Sequence, residues 1–305
     1  MTADQILTLV VAILGGALRV GAPFLFVSLG ECITEKAGRI NLGLEGVLVL
    51  SAMAAFGGSY LSGSAWIGVL CAMGAGALLA ALHGALCTLP RVNDVATGIA
   101  LMLLGTGLAF YLGKPLIQPQ AAQLPPIELG AWSSSPAIKA ALQINPLVPI
   151  GLLLAGALWW AFAHTRAGLL VRMAGDSAQA ARALGYSVGG IRIAATAAGG
   201  MVAGLGGACL TLFYPGSWNE GISSGQGLIA VALVIFARWD PLRCVVAALL
   251  FGGAGAVGPA LQSIGISWGY HLFNIVPYVL TLAILVASCR PGQLAAGSPG
   301  ELSSR

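Results

Sequence analysis

The chain has 305 residues, of which 58% are hydrophobic and only 8% are charged. Soluble globular domains contain about 45–50% apolar and about 25% charged residues, so this composition excludes an ordinary water-soluble domain. The formal net charge of +4 is modest, and we expect no nucleic-acid partner.

The apolar segments predict an all-α polytopic membrane protein, because a spanning helix needs about 20 mostly apolar residues. We expect one bundle of about 8–10 transmembrane helices that includes broken or half helices. The predicted segments are 6–30, 46–61, 66–89, 95–113, 146–163, 193–213, 226–237, 244–263 and 271–289. Segment 226–237 is too short to cross a bilayer alone, so we predict a half-helix or one end of a broken helix.

The basic residues predict the orientation, because Lys and Arg are enriched in short cytoplasmic loops. Loop 164–192 is predicted to be cytoplasmic, since it carries four arginines: Arg166, Arg172, Arg182 and Arg192. Loop 114–145 is rich in proline and has two basic residues, so we place it outside the cell, with the N-terminus on the same side. Residues 1–290 then form a single transmembrane domain, and the Gly/Ser/Pro-rich residues 291–305 are predicted to be a disordered tail.

Patterns that would indicate catalysis or metal binding are weak. The segment from Gly107 to Pro115 lacks the spacing of a phosphate-binding loop, so ATP hydrolysis would need a separate chain. Residues 221–225 match G-x-S-x-G, but that motif marks a nucleophile only on a strand-to-helix turn. The three histidines and six cysteines show no metal-ligand spacing. We therefore predict no enzyme activity, no metal and no cofactor.

The segment from Glu31 to Gly46 places three glutamates and two basic residues between apolar runs. One interpretation is a cytoplasmic turn in which Glu35, Lys36 and Arg39 are solvated. The other concerns Asn41 and Glu45, because polar groups at membrane depth are tolerated where they line a cavity or pair internally.

We predict that Asn41 and Glu45 face a central, water-accessible substrate path. Asn93 and Asp94, which precede the fourth apolar segment, are assigned to the same path.

A short capped helix is predicted within loop 164–192. Asp176 is a candidate N-cap with Gln179 three residues later, and Gly185 occupies a C-cap position. So short a helix needs a surface to pack against, and Ala180, Ala181 and Leu184 form a small apolar face. We predict a docking element for a partner protein. The alternative is a helix that lies on the underside of its own bundle.

A run of small residues falls on one face of the predicted segment 193–213. Its members are Ala195, Gly199, Ala203 and Gly207, with Gly200 and Gly204 beside them. This spacing predicts close helix packing.

Three of these segments resemble a known family. Residues 38–46, GRINLGLEG, resemble the G-x-INLGLEG signature of permeases in nucleoside-type and related simple-sugar ABC importers. Residues 179–185, QAARALG, are similar to the EAA-x-x-x-G loop through which import permeases engage their ATPase, with Gln in the Glu position. Residues 225–241 resemble a second signature, with a Gly-rich start, an apolar helix and an RW-[ND]-P turn. One departure is Met102, where relatives often have Asn.

The resemblance implies a multi-pass protein of the cell membrane and a set of partners. These are a second permease subunit (usually a different chain in the nucleoside branch), a cytoplasmic ABC ATPase and an extracytoplasmic solute-binding lipoprotein, within membrane lipid. It also implies that ATPase coupling lies in residues of the capped helix: Asp176, Gln179, Ala180, Ala181, Arg182, Leu184 and Gly185.

The expected substrate is a nucleoside, because sugar permeases of this superfamily tend to read GGIDLSVG where this chain has GRINLGLEG. A simple sugar is the alternative, followed by a branched-chain amino acid. An ion-coupled secondary transporter should carry more ionisable residues deep in its helices than Arg19, Glu45 and Asp94.

Overall fold

The computed structural model describes residues 3–213, 216–263 and 298–303, together with the single positions 275, 276, 279 and 283. Within these residues nearly all regular structure is helical, and we number the helices in chain order. Those up to residue 263 are α1 (Ala3–Lys36), α2 (Leu44–Ser62), α3 (Ala65–Leu86), α4 (Asp94–Gly113), α5 (Pro136–Ala141), α6 (Leu147–His164), α7 (Arg166–Asp176), α8 (Ala178–Ala183), α9 (Val188–Leu212), α10 (Gln226–Phe236) and α11 (Pro241–Ser263), and a four-residue helix, Gly300–Ser303, lies near the C-terminus.

Seven helices in the described part of the chain are long and apolar enough to cross a membrane. They are α1, α2, α3, α4, α6, α9 and α11, and each corresponds to a segment predicted from the sequence. The all-α polytopic fold is therefore confirmed. The predicted segment 271–289 lies outside the described residues, apart from a few single positions.

Helix α9 is at the centre of the bundle, where it packs against α1, α2 and α3. The predicted stripe of small residues forms these contacts. A Cβ atom added to Gly199 would lie 2.5 Å from the carbonyl oxygen of Gly30, and one added to Gly200 would overlap that of Gly76. The helix backbones thus touch directly, and the prediction of close packing is confirmed.

The bundle has two ends with different charge. The end of the bundle at which α1, α6 and α10 end is called the basic face. Lys36, the last residue of α1, lies over the ring of Phe162 near the end of α6, 5.1 Å from its centroid. Loops 87–93 and 164–192, with most of their arginines, are at this face. Its cytoplasmic orientation stays a prediction.

Loop 114–145 covers the opposite face. It contains a 3-10 turn (Lys114–Leu116) and two short strands, β1 (Ile127–Glu128) and β2 (Gln143–Ile144), which pair antiparallel on either side of α5. Arg19 of α1 donates a hydrogen bond to the carbonyl of Ala140 in this loop, at 2.7 Å. A cation within an apolar run thereby reaches polar partners at the end of the bundle.

After α9, the chain returns from the opposite face to the basic face through irregular segments and a short helix. After α9, Gly216 accepts a hydrogen bond from Gln123 of the covering loop, and Trp218 is buried against Gly113 at the end of α4. Residues 216–219 are irregular and residues 220–225 form turns, and the 11-residue helix α10 then continues to the basic face. The prediction of a short helix, a half-helix or one end of a broken helix, is thus confirmed as to its length.

Candidate functional site

The N-terminus of α10 lies inside the bundle and is capped by a carboxylate from α2. One oxygen of Glu45 accepts hydrogen bonds from the Ser223 hydroxyl at 2.5 Å and the Gly225 backbone N–H at 3.1 Å. The other accepts from the Gly227 N–H at 2.7 Å. The first N–H groups of any helix lack partners within that helix, and at membrane depth they must be satisfied by protein. A negative charge also offsets the partial positive charge of this helix end.

Two glycines allow α2 to approach its neighbours closely enough for this contact. A Cβ atom on Gly227 would lie 2.6 Å from both Cα and N of Glu45. One on Gly46 would lie 2.7 Å from Cα of Met102 in α4. The two glycine-containing motifs of the sequence, GLEG and GQG, therefore meet at one backbone contact. Met102 contacts the neighbouring Gly46 through its backbone.

Asn41 shapes the turn that leads into α2. Its backbone N–H donates to Glu31 at 2.8 Å, and its side-chain oxygen accepts from the Gly43 N–H at 2.9 Å. Glu31 lies five residues before Lys36, the last residue of α1, which corresponds to about 7.5 Å of helix rise. Because Asn41 bonds to Glu31, the chain after α1 turns back into the bundle before α2 begins. Asn41 is only 1% exposed. Its amide is used by the turn itself, and its place on a substrate path stays a prediction.

Arg39 and Asp94 form a buried ion pair at 2.7 Å. Arg39 also donates to the carbonyl of Cys87, so one guanidinium joins the turn before α2 to the connection between α3 and α4. Asn93 is the N-cap of α4, and its side chain accepts from the N–H groups of Val95 and Ala96. In this chain Asn93 and Asp94 therefore position helix ends.

The interpretation of Glu35 and Arg39 as solvated turn residues is wrong. Helix α1 continues to Lys36, which leaves Glu35 2% and Arg39 7% exposed. The Glu35 carboxylate accepts a hydrogen bond from the indole N–H of Trp239, just beyond α10. Both ends of α10 thus bond to acidic residues of the segment from Glu31 to Gly46, Glu45 at the start of the helix and Glu35 after its end.

The capped helix in loop 164–192 exists, with different bounds from those predicted. Asp176 is the last residue of α7, and Ser177 is the N-cap of α8, where its hydroxyl accepts from the Ala180 N–H at 3.2 Å. The C-cap prediction is confirmed. Gly185 has φ +83°, its N–H bonds to Arg182, and the next N–H bonds to Ala181. This pair of bonds is a Schellman motif.

The buried face of α8 also differs from the prediction. Ala178 and Ala181 pack against Ala174 and Val188 of the same chain, and Ala181 is fully buried. The side chains of Gln179, Ala180 and Arg182 point to solvent, and Leu184 is 66% exposed. Ala181 therefore packs α8 against its own bundle, and a partner protein can contact only the opposite, exposed side of α8.

A C-terminal turn comprising residues 298–303 contacts the start of α8. One oxygen of Glu301 accepts from the Ala178 N–H at 3.0 Å, and the other lies 3.2 Å from the guanidinium of Arg192. Gly300–Ser303 is helical, so the predicted disordered tail is wrong for this part. Residues 291–297 and 304–305 lie outside the described residues. No signal in the sequence identified Glu301 as a site residue.

The other polar motifs are used structurally. Ser223, the serine of the G-x-S-x-G match, donates to Glu45, and a ring nitrogen of His83 lies 3.1 Å from the carbonyl oxygen of Ile40. Burial raises the pKa of the Cys87 thiol to about 11, so this thiol is protonated at neutral pH. Within the described residues no cluster of His, Cys, Asp or Glu could hold a metal ion.

The sequence matches the family described as branched-chain amino acid transport system / permease component, over residues 13–287. The chain belongs to this family. The chain is similar to a protein of Haloferax volcanii that is provisionally named a glucose ABC transporter permease. The two are 32% identical, and the alignment covers 90% of each chain. A nucleoside ABC transporter permease of Lactococcus lactis is 28% identical over 90% of each chain. A guanosine ABC transporter permease of Bacillus subtilis is 27% identical over 92% of each.

The family and the seven apolar helices together define the role of the chain. It is the permease subunit of an ABC importer and a multi-pass protein of the plasma membrane. It works with an ATPase, which is a separate subunit, and with a substrate-binding protein. Glu45 and α10 are therefore parts of a transport subunit.

Proposed function

We propose that this permease imports a nucleoside, and that α10 with its Glu45 cap forms part of the wall of the solute path. The proposal for the substrate is supported by the GRINLGLEG segment and by two relatives named for a nucleoside and for guanosine. A simple sugar is the second candidate, because a relative at 32% identity is named for glucose.

One observation carries the proposal for the path. A half-helix that starts inside a membrane bundle is a common way to build a transport site, because its backbone groups line a cavity. Here that start is held by three hydrogen bonds to Glu45. Glu45 is partly exposed, whereas Asn41 and Asp94 are buried. We therefore assign the path-facing role to Glu45, and a supporting role to Asn41, Asn93 and Asp94.

The test is uptake of labelled nucleoside by cells that express Glu45→Gln. The substitution keeps the size of the side chain but removes the charge from hydrogen bonds that are each worth about 1.5–3 kcal/mol. We expect uptake to fall about tenfold or more while membrane insertion is retained. Glu220→Gln, an exposed carboxylate in the same turn region, serves as the matched control. Normal uptake by a well-expressed Glu45→Gln variant would end the assignment.

The substrate class is tested separately, with the solute-binding protein of the same transporter. Its affinity is measured for guanosine, ribose, glucose and leucine. Binding of guanosine and not of the others is the expected result. Preferential glucose binding would replace the nucleoside proposal with the sugar alternative, and leucine binding would contradict both.

We further propose that α8 is the element through which the ATPase engages this subunit. Its exposed side presents Gln179, Ala180 and Leu184, with Arg182 at the edge. A six-residue helix is marginal alone, but Ser177, Gly185 and the Ala181 contact hold this one in shape. A movement of the bound ATPase can therefore be transmitted through α8 to α7 and α9.

Co-purification of the ATPase tests this assignment. Leu184→Asp should reduce recovery of the ATPase, because a charge replaces an apolar side chain on the docking side. Leu169→Asp, at another exposed leucine, in α7 (55% exposed, against 66% for Leu184), is the control. Ala181→Arg should also reduce recovery, but by unseating α8, so it should increase proteolysis of the loop in the permease alone. Full recovery with Leu184→Asp would place the docking site elsewhere.

The remaining partners are proposed from the family pattern. The second permease is a different chain, and the solute-binding protein is a lipoprotein on the outer side. Co-expression of this chain with the neighbouring permease gene, followed by cross-linking, should give a heterodimer. A homodimer as the only product would contradict this.

A further inference from the structure

A groove with three cations opens at the basic face, between the ends of α1, α6 and α10 and the start of α11. Its volume is about 230 Å³. Lys36, Arg172 and Arg238 line it together with Trp159 and Phe162 of α6. We call it the basic groove. None of the contacts described for transport or for α8 uses these three cations.

The lining of the basic groove has a net positive charge, because it contains three cations and one carboxylate. Lys36, Arg172 and Arg238 form no ion pair within the described residues. The carboxylate in the lining, Asp240, is the cap of α11, where one oxygen accepts from the N–H groups at positions 242 and 243, at 2.8 and 3.2 Å. Like charges that converge on one cavity repel each other, so an anion bound among them would be stabilised.

The other wall of the groove is aromatic. Phe162 and Trp159 belong to the last turns of α6, and the Lys36 ammonium lies 5.1 Å from the centroid of the Phe162 ring. Trp159 and its neighbour Trp160 are 45% and 56% exposed. Tryptophans at helix ends are typical of the membrane–water interface. The groove therefore has cations where a phosphate would lie and apolar rings where the glycerol and upper acyl chain would lie.

We propose that the basic groove binds the headgroup of an anionic phospholipid from the leaflet at the basic face. Basic pockets between membrane helices recognise such headgroups. A free phosphate ion would satisfy the cations but would leave the aromatic wall exposed. The shape of the site thus fits a lipid better than a soluble anion.

The backbone that carries Arg238 is fixed before any ligand binds. Arg238 and Trp239 have φ angles of +53° and +57°, a conformation that non-glycine residues seldom adopt. Their N–H groups bond back to Ile235 and Val234 in α10, and the Trp239 indole bonds to the buried Glu35. Strained backbone that is held this firmly is typical of functional sites. The bound lipid would join the end of α10 to α6.

The test uses the purified transporter in nanodiscs of phosphatidylcholine alone or of an equal mixture with phosphatidylglycerol. Native mass spectrometry measures the lipid retained, and a thermal unfolding assay measures stabilisation. Wild type should retain phosphatidylglycerol and melt at a higher temperature in the mixture. The double variant Arg172→Gln/Arg238→Gln should retain about tenfold less, since each cation near an anionic surface contributes substantially to binding.

The control double variant is Arg91→Gln/Arg166→Gln, which removes two exposed arginines from the same face outside the groove. It should retain the lipid as wild type does. Equal retention by both double variants, or equal loss, would overturn the proposal. In a further arm, inorganic phosphate is added to the phosphatidylcholine sample. Stabilisation by phosphate equal to that by phosphatidylglycerol would identify a soluble anion and would also overturn it.

Discussion

Glu301→Ala removes the contact between the C-terminal turn and the start of α8. The Glu301 carboxylate accepts from the Ala178 N–H and pairs with Arg192. Arg192 keeps two other partners, the carbonyls of Ala37 and Ala174, at 3.0 and 2.9 Å. The Ala178 N–H is left without its carboxylate acceptor. The substitution should therefore loosen α8 without unfolding the base of α9.

The size of the effect follows from the hydrogen bond and the ion pair that the substitution removes. A hydrogen bond to a charged group contributes about 1.5–3 kcal/mol. The ion pair adds less, about 0.2–1 kcal/mol, because the Glu301 side chain is 27% exposed. Part of this is regained by solvation of the released groups, so we expect about 2 kcal/mol in the docking of α8. The opening equilibrium of the helix then rises about thirtyfold.

Hydrogen exchange of the purified permease measures this opening. The backbone amides of Ala181, Leu184 and Gly185, which bond within α8 and its cap, should exchange about thirtyfold faster in Glu301→Ala. Glu128→Ala, an exposed carboxylate in the opposite loop, is the control and should change nothing. The reasoning is refuted if α8 exchanges at the wild-type rate. Equal acceleration throughout α9 would also refute it, because that would indicate global destabilisation.

Two further substitutions test the packing around the half-helix and the buried ion pair. Gly227→Ala forces a Cβ to 2.6 Å from the α2 backbone, so we expect a cost of about 1–3 kcal/mol and reduced uptake. Gly221→Ala, whose nearest neighbouring atom would be 3.9 Å away, should transport normally, and equal uptake by the two would contradict the close approach. Asp94→Asn leaves Arg39 buried without its counter-charge and should destabilise the permease by about 3–5 kcal/mol in thermal unfolding. The exposed Asp176→Asn should change stability by less than about 0.5 kcal/mol, and similar melting temperatures for both would show that the ion pair is unimportant.

Much of the helical architecture could be predicted because its signals are local. An apolar run long enough to span a bilayer identifies a helix without knowledge of its neighbours. The predicted bounds of α2, α3, α4 and α6 are therefore within three residues of the observed ones, whereas α9 begins five residues before its predicted start. The shortness of segment 226–237 is itself sufficient to predict a half-helix. The glycine at position 185 predicts the end of α8, since a left-handed cap favours glycine.

The polar contacts could not be predicted because their partners are distant in sequence. Glu35 bonds to Trp239, 204 residues later, and Glu301 bonds to Ala178, 123 residues earlier. Charged residues beside an apolar run therefore resemble solvated ones although they are buried. Asp176 and Ser177 are both good N-cap residues, and only the presence of α7 decides that serine has this role.

The Glu45 cap has a consequence for how the polypeptide is assembled during biosynthesis. Segment 226–236 is too short to partition into a bilayer as an independent span, and the irregular and turn residues 216–225 expose backbone groups that lipid cannot solvate. The translocation machinery therefore cannot insert this region as it inserts α2 or α9. Its start can form the observed hydrogen bonds to Glu45 only once α2 is in place. We therefore expect assembly in two stages, in which the spanning helices insert first and the start of α10 then forms its hydrogen bonds to Glu45.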